Sequence, residues 1–236
     1  MLGVLKLKQS LKWFCVALLT VCSMSTLAQS HHLTLDPKRG SEDGAIYQAW
    51  LSPQQEGGEE RDTPKLVPEK FRSTAPSVDR EDRISRGHGL LRFSKDYSRA
   101  FVDIKIEGVD PATITMFHIH CGKPGVLSPI LVDFGLKNNL KTAFSTGIFS
   151  AEVRNEDLVA VSKHSHTGIV AFATMGCPIA QLNPAELLKP FDRVKTIAGM
   201  AAIAREGQLY FNLHTAGQQY FGDIRGQLEA VNNPHR

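Results

Sequence analysis

Two histidines separated by one residue, His118 and His120, end an apolar run that opens at Ala112 and stops at the turn sequence of residues 122–125. Side chains along a β-strand alternate between its two faces, so this spacing projects both imidazoles from the same face. Neutral imidazole nitrogens bind zinc and copper, and a rigid strand fixes their separation. The pair is therefore either part of a metal site or a structural pair that donates hydrogen bonds to carbonyl groups.

A third histidine lies in residues 207–228, GQLYFNLHTAGQQYFGDIRGQL. Strand alternation places Asn212 and His214 on one polar face, so His214 is the natural third ligand. Asp223 and Arg225 follow in a glycine-flanked stretch, where they are predicted to form a charge-assisted pair near the histidines. A clamp of Arg225 on backbone carbonyls is the competing interpretation.

Three more histidines are candidate ligands. His164 and His166 repeat the one-residue spacing, but their Ser-rich, polar surroundings also fit a solvated loop. If processing follows Ala28, His31 stands third in the mature chain, where the terminal amine, two backbone nitrogens and the imidazole suit Cu(II). The alternative for His31 is an ordinary polar tail.

Residues 1–28 have the pattern of a secretory signal, with a basic start, an apolar core at 13–21 and small residues before Gln29. That apolar core is too short to span a membrane, so we expect no transmembrane span in the mature protein. The chain has 27 Lys and Arg against 24 Asp and Glu, and three of the lysines lie in the signal, leaving 24 of each sign. We expect an exported protein, periplasmic or secreted, that does not bind nucleic acid.

The cysteine content points to one disulfide. Of the four cysteines, Cys15 and Cys22 lie in the signal, so Cys121 and Cys177 are left in the mature chain. An even count in an oxidising compartment favours a Cys121–Cys177 bridge, which would anchor the end of the histidine strand. The alternative is two buried free thiols.

The rest of the chain predicts strands with a few helices. Short strand-like runs separated by turn residues are typical of a β-sandwich or barrel, and they lie at 45–51, 89–93, 100–109, 112–120, 129–134, 143–153 and 169–175. Helix signals begin at Asn155, cover 183–186 and span 192–206 before Gly207. We therefore predict an all-β, antiparallel, Greek-key-like β-sandwich with short helical insertions.

The predicted organisation has one domain and two insertions. Residues 52–86 are polar and proline-rich, so they read as a long surface loop held weakly by Leu66, Val67 and Phe71 at best. The predicted boundaries are 1–28 for the signal peptide, 29–44 for a flexible tail, 45–231 for the β-sandwich domain, 52–86 and 154–206 for its insertions, and 232–236 for a C-terminal tail.

Two segments, FHIHCGKPGVLSPILVDF and GQLYFNLHTAGQQYFGDIRGQL, resemble the two ends of a CHRD (chordin-type) domain. The resemblance implies an exported β-sandwich module, known in bacterial secreted proteins and in an animal extracellular protein that binds growth factors. It also implies a distant likeness to Cu/Zn superoxide dismutases. His118 and His120 match the family's HIH and His214 its HT histidine, whereas Cys121, Asp223 in place of Glu, and the large insertions depart from the pattern.

These observations predict a non-enzymatic binding module with a copper or zinc site at His118, His120 and His214. No residue is assigned a catalytic role, because the chain lacks a nucleophile elbow, a phosphate-binding glycine loop and an HExxH helix. The expected partner is a metal ion or an unidentified extracytoplasmic protein. Two alternatives are a dismutase-like metalloenzyme and a metal-free structural or protein-binding domain.

Overall fold

The computed structural model describes residues 43–163, 176–178 and 193–231. All of them belong to one compact unit, Thr34–Arg236. The predicted signal peptide, residues 29–42 of the predicted N-terminal tail, the C-terminal tail, the strand at 169–175 and the helix at 183–186 lie outside the described residues, as do the candidate ligands His31, His164 and His166. The last two residues of the predicted N-terminal tail, Asp43 and Gly44, belong to the first strand.

Within the described residues, nine strands form two antiparallel sheets. The strands are β1 (Asp43–Leu51), β2 (Arg86–Ser94), β3 (Arg99–Glu107), β4 (Ile114–Cys121), β5 (Ile130–Asp133), β6 (Ile148–Arg154), β7 (Leu209–Thr215), β8 (Ile224–Gln227) and β9 (Glu229–Ala230). One sheet has the order β6-β3-β2-β1-β9 and the other β5-β4-β7-β8. The predicted all-β sandwich is confirmed.

The apolar core lies between the sheets. Phe117 on β4 is fully buried and its ring centroid lies 5.6 Å from that of Phe149 on β6 and 5.8 Å from that of Phe211 on β7. On β3, Val102 and Ile104 are fully buried and alternate with partly exposed residues. Fixing one face of each sheet against this core also fixes which side chains project from the opposite face.

Strand β7 is buried along its whole length. It pairs with β4 on one side and β8 on the other, and all seven of its residues are buried. Leu209, Phe211 and Leu213 face the apolar core, so the intervening residues project from the outer face of the sheet. Other segments of the chain therefore also cover the outer face of β7, although the side chains on that face are polar.

Residues 52–86 help to cover that outer face. The segment has four one-turn 3-10 helices, Pro53–Gln55, Glu60–Asp62, Glu69–Phe71 and Arg80–Asp82. It is held more firmly than the sequence predicted, because its anchors are polar. Arg83, only 6% exposed, donates to the carbonyl oxygens of Gly222 and Asp223, whereas Leu66, one of the expected apolar anchors, is 92% exposed.

The part of the chain that the structure describes has three α-helices: α1 (Leu140–Ala143), α2 (Asn155–Lys163) and α3 (Ile197–Arg205). The helix predicted from Asn155 is confirmed, but the Asn155 side chain accepts from the backbone N–H of Ile197, the first residue of α3. Helix α3 starts later than predicted because Thr196 caps it, and Gly207 follows its end with φ +66°.

The strand predicted over 143–153 starts later than expected. Residues 140–143 form α1 instead, capped by the Asn139 side chain, and Gly147 with φ +75° precedes β6. The segment before β6 therefore contains local turns that hydrophobic periodicity does not reveal. In the described part of the chain no helix exceeds nine residues, and none is long and apolar enough to cross a membrane.

Candidate metal centre

His118 and His120 project from the outer face of β4. The core face of the same strand carries Phe117 and Ile119, both fully buried, so strand alternation forces the two imidazoles outward. They are nevertheless only 2% and 4% exposed. The spacing has placed both rings on one face, and the surrounding chain has removed them from water.

His214 on β7 completes the cluster. In the antiparallel register, His214 lies opposite Met116 and Asn212 opposite His118, so His214 is a diagonal neighbour of His118. The ring centroid of His118 lies 5.2 Å from those of both His120 and His214, which lie 6.4 Å from each other. One nitrogen of each ring lies within 4.8 Å of the other two, so the three predicted ligands converge.

Each imidazole is oriented by a contact to one of its nitrogens. His120 Nδ1 lies 2.7 Å from the carbonyl oxygen of Ser128, and His214 Nδ1 lies 2.9 Å from that of Gln219. A carbonyl can only accept, so the proton of each ring sits on Nδ1 and the lone pair on Nε2. His118 Nε2 lies 3.6 Å from a carboxylate oxygen of Asp133, which favours the proton on Nε2 and the lone pair on Nδ1.

The other nitrogen of each ring has no hydrogen-bond partner among the described residues. These atoms are His118 Nδ1, His120 Nε2 and His214 Nε2, and all three are buried. Metal-binding histidines generally donate their second N–H to a carbonyl or carboxylate, which fixes the tautomer and the ring orientation. His120 and His214 have that arrangement, and the Asp133 carboxylate lies 3.6 Å from the corresponding nitrogen of His118.

Burial also keeps the rings neutral. It lowers the pKa of His120 to about 3 and that of His214 to about 4. Burial, followed by the neighbouring imidazoles, lowers the pKa of His118 well below its ordinary value. The three nitrogens therefore keep their lone pairs at neutral pH and are close enough together to bind one metal ion.

Comparison with protein families assigns the β-sandwich to a known domain family. The sequence profile of the CHRD domain matches residues 47–228, most of the chain. The chain belongs to the CHRD family. A comparison with curated proteins and with solved structures finds no match.

In this CHRD domain, Arg225 ties down the loop beside His120. Its guanidinium donates to the carbonyl oxygens of Val126 and Lys123, at 3.0 and 2.8 Å. It also lies over the ring of Tyr210, 3.4 Å from the centroid, and Tyr210 stacks in parallel on His120 at 4.8 Å. Arg225 therefore takes the carbonyl-clamp role that was the competing interpretation of the sequence.

Asp223 has a different partner from the one the sequence predicted. Its carboxylate lies 3.7 Å from the guanidinium of Arg83, which also pairs with Glu59 at 3.1 Å. Hydrophobic patterning gives no sign of Arg83, because it lies in the polar segment 52–86. The CHRD domain thus links this segment to the loop that leads from His214 to β8.

Two buried side-chain oxygens, one of Glu56 and one of Asn212, lie beside Gly222. Glu56 Oε1 and Asn212 Oδ1 have no hydrogen-bond partner among the described residues, although the other amide atom of Asn212 donates to the carbonyl of Phe221. A Cβ on Gly222 would lie 2.7 Å from the Glu56 oxygen and 2.1 Å from the Asn212 oxygen. Burial raises the pKa of Glu56 to about 8, so the carboxyl is protonated at neutral pH and can donate.

At pH 9, Glu56→Gln is expected to raise the free energy of unfolding by about 1–3 kcal/mol. The substitution removes the destabilisation that an unsatisfied buried polar group causes. Between about pH 4.5 and 8 the native carboxyl holds a proton that the unfolded chain has lost, so this group destabilises the fold as pH rises. The glutamine amide donates without titrating. Urea unfolding at pH 5, 7 and 9 tests this, with the exposed Glu81→Gln as control. An unchanged pH slope in Glu56→Gln would contradict the assignment.

Cys121 and Cys177 form the predicted disulfide, with their Cα atoms 6.1 Å apart. Cys121 directly follows His120, and its backbone N–H donates to the carbonyl of Pro129. The bond therefore anchors the end of β4 close to the cluster. The described residues contain one histidine cluster of this kind, and it consists of the three predicted ligands.

The sequence did not single out the residues that orient the rings. Ser128 and Gln219 act through backbone carbonyls, so their residue types carry no signal. Asp133 does carry one, since it lies within the strand predicted at 129–134 and pairs with His118 across the sheet. An acidic residue on a strand adjacent to an HxH strand was therefore a usable clue.

Proposed function

We propose that this CHRD protein is an exported binding module whose His118, His120 and His214 hold one copper or zinc ion. The observation that carries the proposal is the set of three buried ring nitrogens without partners, which converge while each ring's other nitrogen is oriented by the chain. Zinc and copper both accept imidazole nitrogen. The disulfide supports export, because such bonds persist in oxidising compartments.

A metal-free structural role explains the cluster less well. Each unsatisfied buried polar atom destabilises a fold by about 1–3 kcal/mol. If the cluster were purely structural, replacing the three imidazoles with apolar side chains would stabilise the fold, because the loops around them already exclude water. A bound ion would satisfy all three nitrogens at once.

A dismutase-like metalloenzyme is the second candidate. It is favoured by the HxH pair on one strand and the third histidine on its antiparallel neighbour. A two-metal centre would need further ligands, and within residues 43–163, 176–178 and 193–231 this is the one cluster of potential ligands. The near-complete burial of the rings also favours holding an ion over admitting a substrate. Superoxide consumption by the metal-loaded protein that is lost in His118→Ala would favour the metalloenzyme over the binding module.

The binding proposal is tested by metal stoichiometry. Chelator-stripped protein supplied with Zn²⁺, or with copper under reducing conditions, is expected to retain one ion per chain, measured by elemental analysis after gel filtration. A free concentration 100 times the dissociation constant is expected to stabilise the fold by about 2.7 kcal/mol. His120→Ala is expected to lose both effects.

His88→Ala is the matched control, because His88 lies on β2 in the other sheet, stacked on Trp50. It is expected to bind metal like the wild type. Circular dichroism establishes that both variants are folded. Absence of stoichiometric metal from the wild-type protein would end the proposal, and full retention by folded His120→Ala would place the ion elsewhere.

A further inference from the structure

The donor set of the cluster contains no anion. Its three ligand atoms are neutral imidazole nitrogens. The carboxylate of Asp133 lies 3.6 Å from the opposite nitrogen of His118, and so contacts the ring rather than the ligand position. The sulfur of Cys121, next along the chain from His120, is bonded to Cys177. No ligand atom would therefore neutralise any of the charge of a bound ion.

Burial makes the charge of the ion energetically unfavourable. The free energy of transferring an ion from water into a low-dielectric site rises with the square of its charge, so a divalent ion loses about four times as much hydration as a monovalent ion of similar size. Arg225 adds positive charge nearby, because its guanidinium stacks on Tyr210, which stacks in turn on His120. Asp133 offsets only a single charge. The electrostatics therefore favour a monovalent ion.

The number of ligands points the same way. Zinc takes four ligands, and Cu(II) prefers a tetragonal set, so with three histidines either ion needs a water to complete its shell. The rings are 2–4% exposed, and the carbonyls of Ser128 and Gln219 belong to loops that close over His120 and His214. Cu(I) is stable with three ligands in a plane and needs no water.

We infer that the cluster selects Cu(I), held by His118 Nδ1, His120 Nε2 and His214 Nε2 without a bound water. The inference rests on the proposed function and names the ion and its coordination. It gives the protein the chemistry of a cuprous-ion carrier or reservoir. A carrier of this kind keeps copper away from solvent, whereas an enzyme would leave one coordination position open.

The test measures affinity and coordination separately. Metal-free protein is titrated anaerobically with Cu(I) buffered by the chromophoric chelator bicinchoninate, and in parallel with Zn²⁺ and Cu²⁺. Cu(I) is expected to bind one per chain, at least about 100-fold more tightly than Zn²⁺, a difference of about 2.7 kcal/mol. X-ray absorption of the Cu(I) protein is expected to show three nitrogen neighbours.

The outcomes separate the two proposals. If no ion binds stoichiometrically, the proposed metal site itself fails. Tighter binding of Zn²⁺ or Cu²⁺, or a fourth oxygen neighbour on Cu(I), would leave the site standing and overturn the selectivity. His120→Gln, which keeps a polar side chain of similar length, is expected to weaken Cu(I) binding by at least about 100-fold, whereas His88→Gln is expected to leave it unchanged.

Discussion

Replacing both Cys121 and Cys177 by serine is expected to lower the free energy of unfolding by about 4 kcal/mol. The disulfide closes a loop with a sequence separation of 56, and loop-closure entropy in the unfolded chain gives this magnitude for that length. The bond also joins the end of β4 to the region before α3, so its loss frees the strand end that carries His120. Urea unfolding of the oxidised wild type and the double variant measures the difference.

Wild-type protein unfolded in the presence of a thiol reductant is the control, because it loses the same cross-link without a change in side-chain size. It is expected to match the double serine variant to within about 1 kcal/mol, the usual error of linear extrapolation. A double variant as stable as the oxidised wild type would show that the cross-link does not constrain the unfolded chain.

Acidification from pH 6.5 to 4 is expected to destabilise the metal-free protein steeply. The buried imidazoles stay neutral in the native state, where burial lowers the pKa of His120 to about 3 and that of His214 to about 4. In the unfolded chain they bind protons near pH 6.5, so stability is present above that pH and is lost as pH falls. Each histidine contributes a slope of about 1.4 kcal/mol per pH unit in this window.

The contribution of one histidine is isolated by substitution. His120→Gln is expected to reduce the slope between pH 6 and 5 by about 1.4 kcal/mol per pH unit, measured from urea unfolding curves at half-unit intervals. Carboxylates titrate in the same range, so His88→Gln serves as the comparison. Identical slopes in His120→Gln and the wild type would mean that His120 is protonated in the folded protein.

Periodicity and spacing were sufficient to predict which face of each strand carries the histidines. The alternation of β4 and β7 follows from one buried face on each strand, so the motifs place His118 and His120 together and His214 on the polar face of its own strand. The pairing of β4 with β7 comes from the tertiary fold. The count of cysteines outside the predicted signal led to the disulfide. These features depend on local backbone geometry or on simple chemistry, which a single sequence carries.

The contacts that cover the site could not be predicted in the same way. Arg83 reaches the backbone of Gly222 and Asp223, about 140 residues away along the chain, and no periodic signal connects such positions. Asn155 looked like the cap of its own helix, but it hydrogen-bonds α3 instead. Polar side chains satisfy whichever partner the tertiary fold brings near, so their roles emerge only after the apolar layers are assembled.

The complete burial of β7 limits how this sequence can change. One face of the strand packs between the sheets and the other carries His214 and Asn212 beneath the covering loops, so all seven positions are buried. A surface strand can accept many substitutions on its solvent side, but β7 has no such side. Mutations that would adjust the histidine cluster therefore also disturb the fold, and ligand chemistry and stability must evolve together along this strand.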